Sequence, residues 1–179
     1  MMRLLVVFVA TVALLAGTAF AQNGSIAVFS DAAGTDCFFT DSGGLVQVFV
    51  FHLFSPGATA SEWMIYTPGW THLGDNPDFT LVIGQSITGV AISYENCLQG
   101  DFRLMTINFF GNSASNCLLL GIVPAPNKAG VRAVDCAENN VFIPGGWGRI
   151  NADGTCQNCD PPDPVEQSTW GQIKAMYTQ

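Results

Sequence analysis

The chain has 179 residues, with six Lys and Arg against fourteen Asp and Glu, a formal charge of −8 at pH 7. That sign opposes phosphate backbones and anionic membrane surfaces, which are held by clustered Lys and Arg, so nucleic acid is excluded as a partner. Charged residues make up 11% of the chain and apolar ones 49%, which excludes a disordered acidic tail.

The first 21 residues read as a cleavable secretory signal. Arg3 gives a positive start, residues 4–15 are apolar except for Thr11, and Ala19-Phe20-Ala21 sets small side chains where a signal peptidase reads. The apolar stretch is shorter than the roughly 20 residues that cross a bilayer, so no membrane span is expected after cleavage. The 158 residues that then remain of the 179 carry a formal charge of −9, because Arg3 leaves with the leader. They suffice for one domain with a core. The expected location is extracytoplasmic: secreted, periplasmic or at the cell surface.

Residues 22–155 read as short strands separated by turns. Residues 26–30 are the first, followed by a turn at residues 31–34. Residues 45–54 are the strongest, a run of Val, Phe and Leu broken by Gln47 and His52, which predicts a strand covered on both faces and ended at Ser55-Pro56-Gly57. Further strands are predicted at residues 61–67, 79–83, 89–95, 102–110, 118–123, 130–135 and 141–143, with no helical periodicity between 22 and 165. This spacing, with Gly and Pro turns, predicts an all-β fold: an antiparallel β-sandwich of immunoglobulin or cohesin type. On the strand at 61–67, Trp63 and Ile65 point one way and Met64 and Tyr66 the other, which places Trp63 in the core.

The C-terminal part changes character. Residues 156–167 form a Cys- and Pro-rich connector, since proline lacks the amide donor that a sheet interior needs. Residues 168–178 predict a short amphipathic helix, capped by Thr169 with Gln172 and striped by Trp170, Ile173 and Tyr177. A helix this short is marginal alone, so it docks on its own sandwich, docks on a partner, or acts as a terminal tag.

Six cysteines, Cys37, Cys97, Cys117, Cys136, Cys156 and Cys159, read as a disulfide set in an exported chain. The sequence leaves their connectivity open. The preferred pair is Cys97 with Cys117, whose loop of about 20 residues contributes on the order of 3 kcal/mol. Cys156-Gln157-Asn158-Cys159 has the spacing of a redox motif, but it precedes a proline connector and has no βαβ context. A zinc site would need a second pair of ligands at similar spacing. Ordinary disulfides are the expected reading.

No catalytic or cofactor-binding residue is assigned. The two histidines, His52 in the most apolar strand and His72 in a loop, show no metal-ligand spacing. The Gly-x-Ser-x-Gly elbow is absent. Glu62, Glu95, Asp101, Asp135 and Glu138 are candidates for a glycosidase pair, but scattered acids in turns are ordinarily solvated. If a metal is bound, calcium is the expected one, with oxygen ligands in the turns at residues 31–36 and 151–154, neither of which is a full twelve-residue loop. Trp70, beyond Pro68-Gly69, is expected in an exposed loop. With Trp170, Ile173 and Tyr177 it is a candidate contact for a ligand or partner.

Three segments carry a resemblance: residues 30–37 (Ser-Asp-Ala-Ala-Gly-Thr-Asp-Cys), residues 89–98 (Gly-Val-Ala-Ile-Ser-Tyr-Glu-Asn-Cys-Leu), and the end from Cys156 through Thr169-Trp170-Gly171-Gln172-Ile173-Lys174. In these the chain resembles a loose group of uncharacterised exported bacterial β-sandwich proteins with a Thr-Trp-Gly-x-Ile-Lys type tail. The middle segment is also similar in strand pattern to cohesin-like sandwiches, which are binding modules. The resemblance implies export and a sandwich, and transfers no site residue. The expected function is that of a secreted or envelope-associated, non-catalytic binding or structural protein, its partner a protein or glycan at the cell surface. A carbohydrate-binding module built on Trp70 and a secreted hydrolase with a carboxylate pair are the alternatives.

Overall fold

A computed structural model describes residues 24–154 and Cys156. The signal at 1–21, the rest of the connector and the helix expected at 168–178 lie outside the described residues, as do Cys159, Trp170, Ile173 and Tyr177. Among the described residues there are ten strands and no helix, and no helix is long and apolar enough to cross a membrane.

Two strands of 23 residues form the spine, β3 (Gly44–Tyr66) and β6 (Gly89–Gly111), paired antiparallel along nearly their whole length. The second edge of β3 is taken in succession by β1 (Ser25–Phe29), β8 (Val131–Asp135) and β7 (Leu118–Val123). The second edge of β6 is shared by β4 (Thr71–Pro77) and β5 (Leu81–Gln85). Outside these, β9 (Asn140–Ile143) pairs with β8, and β10 (Trp147–Ile150) joins β7 to the two-residue β2 (Phe38–Phe39). The β10–β2 pair is parallel and the other ladders are antiparallel.

The sequence predicted two strands where the structure has one, both in β3 and in β6. Pro56 does not end β3. The ladder shifts register between His52 and Ser55 and between Ser55 and Ala58, so the missing proline amide falls within a bulge where no ladder bond is needed. Phe54 and Gly57 take positive φ there (52° and 145°), as do Glu95 and Gly100 on the facing stretch of β6. The bulged middle divides the spine into halves. One half carries β1 and β4, the other carries β5, β8 and β7.

Both halves turn alternate side chains into one core. Val48, Val50, Ile107 and Phe109 come from the first half, and Trp63, Ile65, Ile92 and Tyr94 from the second. That is the sandwich. Trp63 is fully buried as its alternation predicted, and its indole N–H donates to the Ser61 hydroxyl at 3.2 Å. Residues 45–54 are covered on both faces only in part. A small second cluster of Ala27, Phe29 and Leu53 packs with Phe49 and Phe51, the Phe29 and Phe51 rings meeting edge to face at 5.5 Å. Leu45 and Gln47, farther along the strand, are exposed.

The pairing of Cys97 with Cys117 is corrected: Cys97 bonds to Cys136 and Cys117 to Cys156, each across 39 residues. Cys97 lies in the bulged stretch of β6 and Cys136 follows β8, and both strands flank the same stretch of β3. The fold, not loop length, brings them together. Cys37 is disulfide-bonded as well.

Candidate interaction face

The second half of the spine presents one continuous outward face across five strands, in the order β5, β6, β3, β8, β9. On these strands Ser61, Trp63, Val90, Ile92, Ala133 and Ile143 point inward and are buried. Their immediate neighbours therefore point out. Cross-strand register sets those neighbours in rows. Ile83 stands opposite Ala91, Ala91 opposite Glu62, Glu62 opposite Arg132, and Arg132 opposite Phe142. The adjacent row runs Leu81, Ser93, Ala60, Val134, Asn140. Five strands at the usual spacing make a face about 19 Å wide.

The relief of this face follows from side-chain size. Small Ala60, Ala91 and Ser93 occupy the middle, whereas Ile83 and Phe142 stand out at the sides, 70% and 62% exposed. A groove of about 270 Å³ lies over Ala60, Ala91 and Val134, with Glu62 and Arg132 across it. Glu62 Oε1 is held by Lys128 Nζ at 3.1 Å. The Arg132 guanidinium sits 5.5 Å from the centre of the Phe142 ring, within cation–π reach. Phe142 also rests on bare Gly130, where an added Cβ would come within 2.7 Å of the ring. An exposed aromatic is thus fixed in place from two sides.

The residues the sequence singled out lie elsewhere. Trp70, expected in an exposed loop, is buried at 6% exposure, and its indole N–H donates to Asp41 Oδ2 at 2.7 Å. It packs on Phe39 and Phe109 as part of the core. A sugar ring cannot stack on it. Exposed Tyr66 lies against half-buried Trp147, and their rings meet at 61° and so offer no shared flat surface.

Four of the five candidate acids have a local partner, Glu62 through Lys128. Asp101 Oδ1 accepts the Phe54 amide at 2.7 Å, Asp135 accepts the amides of Ala137 and Asn139, and Glu95 accepts the Thr80 hydroxyl. The Asn139 side chain and amide hold the Asp135 carboxyl below its ordinary range. The groove holds one carboxylate, Glu62, and the cleft of about 800 Å³ beside β2 also holds one, Asp153. Among the described residues, neither has the facing pair a glycosidase uses.

His52 is fully buried, with Nδ1 3.1 Å from the Tyr94 hydroxyl, and burial pushes that phenol well above its ordinary pKa. His72 Nε2 lies 2.8 Å from Asp75 Oδ1, which also accepts the Ser86 hydroxyl at 2.6 Å. Histidine, aspartate and serine meet there in the wrong order. The carboxylate stands between the other two, so the imidazole is not against the hydroxyl and cannot take its proton.

Several of the calcium candidates turn an oxygen to the backbone. Asp31 Oδ1 accepts the Thr35 amide at 2.8 Å and Asp36 Oδ1 the Phe38 amide at 2.9 Å, while Asn151 Oδ1 accepts the Asp41 amide at 2.8 Å. Cys117, Asp153 and Cys156 converge within 4.8 Å. Their two sulfurs form one disulfide and provide no thiolate for a metal.

No family model matches the sequence, and no curated protein does. Solved structures do match the fold. A cohesin module from a Clostridium perfringens ATCC13124 family 33 glycoside hydrolase is similar over 74% of this chain and 99% of its own, with a TM-score of 0.51 at 9% identity. A non-cellulosomal cohesin from the hyperthermophilic archaeon Archaeoglobus fulgidus covers 72% of this chain and 91% of its own, with a TM-score of 0.49 at 17% identity. The cohesin of a type I cohesin–dockerin complex from Clostridium thermocellum ATTC 27405 covers 74% and 96%, with a TM-score of 0.46 at 12% identity. The chain has an all-β, cohesin-like sandwich fold.

Proposed function

We propose that this chain is an extracytoplasmic, non-catalytic binding module that docks a protein partner on the β5–β6–β3–β8–β9 face. The observation that carries the reading is the cross-strand row, in which exposed Ile83 and Phe142 stand at the two sides with Ala91, Glu62 and Arg132 between them. Large apolar side chains left exposed together on one sheet face mark an interaction site, and Arg and aromatic residues are both enriched where proteins meet. A flat face about 19 Å wide suits a macromolecule better than a small molecule, which is bound in concave pockets that enclose it. The fold supports the same reading by analogy, since in the Clostridium perfringens protein it forms a module of a larger enzyme. Disulfides support a location outside the cytoplasm.

The test uses the full chain as bait on the secreted and envelope fractions of its host. Ile83→Asp and Phe142→Asp place charges on the exposed sides of the face, away from the core, and are expected to leave the melting temperature within a few degrees. A protein retained by the parent chain should be lost with both variants and kept by Leu45→Asp, a substitution on the other half of the sandwich. Retention indifferent to Ile83 and Phe142 would refute the reading.

A further inference from the structure

We infer that the partner segment received by this face carries a carboxylate, set between apolar side chains and placed against Arg132. The inference rests on the docking face proposed above and names the chemistry of what fills it. It follows from an imbalance in the groove. Glu62 is the acid directly across the ladder from Arg132, yet its recorded ion pair is with Lys128. Arg132 is left with the face of Phe142, and its buried Nε–H has no acceptor among the described residues. A buried donor without an acceptor is costly, and most such groups in proteins are paired. The described residues do not provide the partner here.

Charge points the same way. The chain is at −8 overall with only six basic residues, and Arg132 lines this groove with the single acid Glu62, whose charge Lys128 already pairs. A local excess of one positive charge on an otherwise acidic protein selects for an acidic group at that spot. A guanidinium takes a carboxylate through two parallel bonds, a geometry that a lysine or a neutral acceptor does not match. Ile83, Leu81 and Phe142 then cover the apolar side chains on either side and exclude water from the pair.

The experiment pans a displayed library of short randomised peptides against the full chain, then measures affinities of the selected peptides as synthetic compounds. The inference expects peptides with Asp or Glu flanked by apolar residues. They should lose binding to Ile83→Asp and weaken about tenfold or more on Arg132→Met, which keeps the apolar stem. Arg132→Lys should recover part of the loss. Changing the peptide's acid to its amide should cost a similar factor, and Arg132→Met should add little to that second loss. Face-dependent peptides that lack an acid, carry Lys or Arg instead, or change less than about threefold with Arg132→Met overturn the inference and leave the docking face standing. Peptides indifferent to Ile83→Asp, or a panning with no face-dependent peptide, overturn the docking face and the inference with it.

Discussion

Asp41→Ala is expected to lower stability by about 3 to 5 kcal/mol, seen as a fall in melting temperature of roughly 10 °C or more. Asp41 is 3% exposed. Its Oδ2 accepts the Trp70 indole N–H at 2.7 Å and the Ala114 amide at 2.9 Å, and its Oδ1 accepts the amides of Gly43 at 2.9 Å and Ser113 at 3.2 Å. Removing the side chain strands four donors that water reaches poorly. Asp41→Asn should cost nearly as much, because an amide must turn its NH2 toward one of two pairs of N–H donors. Bare Gly111 makes room for the carboxylate, since a Cβ there would come within 2.2 Å of Oδ1.

The pH dependence separates this account from simple loss of packing. Burial acts to raise the Asp41 pKa, but the amides of Ala114 and Gly43, the Trp70 indole and the Ser113 amide outweigh it and hold the carboxyl below its ordinary value. A group depressed in the folded state contributes stability above its unfolded pKa of about 3.9, and that contribution is lost as pH falls through the folded value. The deficit of Asp41→Asn against the parent should therefore be full at neutral pH and shrink below about pH 4. A deficit of constant size across the acid range would contradict it.

The second large effect belongs to the bridge between Cys97 and Cys136. Replacing both by serine is expected to cost about 4 kcal/mol by the chain-entropy relation for a 39-residue loop. This bridge clamps the bulged middle of the spine, where β3 depends least on ladder bonds. Gly57 is part of the same construction. A Cβ there would come within 2.9 Å of Cys136 Sγ and 3.2 Å of Cys97 Sγ, so Gly57→Ala should also destabilise, and only in part less once both cysteines are serine, because its φ of 145° strains any side chain. Urea unfolding of the parent, the double serine variant and the Gly57 variants checks this directly. A peptide map that joined Cys97 to Cys117 would contradict it before any unfolding is done.

These cases show what the amino-acid pattern reveals and what it hides. Alternation is a local property, so Trp63 and Ile65 against Met64 and Tyr66 could be sorted by facing direction from the sequence. The Pro56 break could not, because a proline within a strand is tolerated where the register slips, and slippage is a property of two strands. β4 was missed because Gly74, Asp75, Asn76 and Pro77 interrupt any alternation, and its place is set by pairing with β6. Trp70 reads as a loop residue by its Pro68-Gly69 neighbours. Its burial depends on Asp41, 29 residues away.

The candidate face was hidden for the same reason. Ile83, Ala91, Glu62, Arg132 and Phe142 come one each from five strands, and no window of 20 residues holds more than two of them. The usable signal is weaker: small residues at alternate positions, Ala60 and then Ala91 with Ser93, on strands whose other face is strongly apolar. Arg132 and Phe142 are linked only by the β8–β9 register. Cysteine spacing misleads in the same way, since loop entropy ranks pairs by length whereas the spine decides which sulfurs meet.

The most direct test of the docking face is amide hydrogen exchange on the full chain, alone and saturated with the protein it retains. β5 and β9 are each paired along one edge only among the described strands, so their amides report a bound partner sensitively. The account predicts slowed exchange in β5, β8 and β9, with β4 unchanged. Protection confined to β4 and the exposed Leu45–Phe110 pair would contradict it.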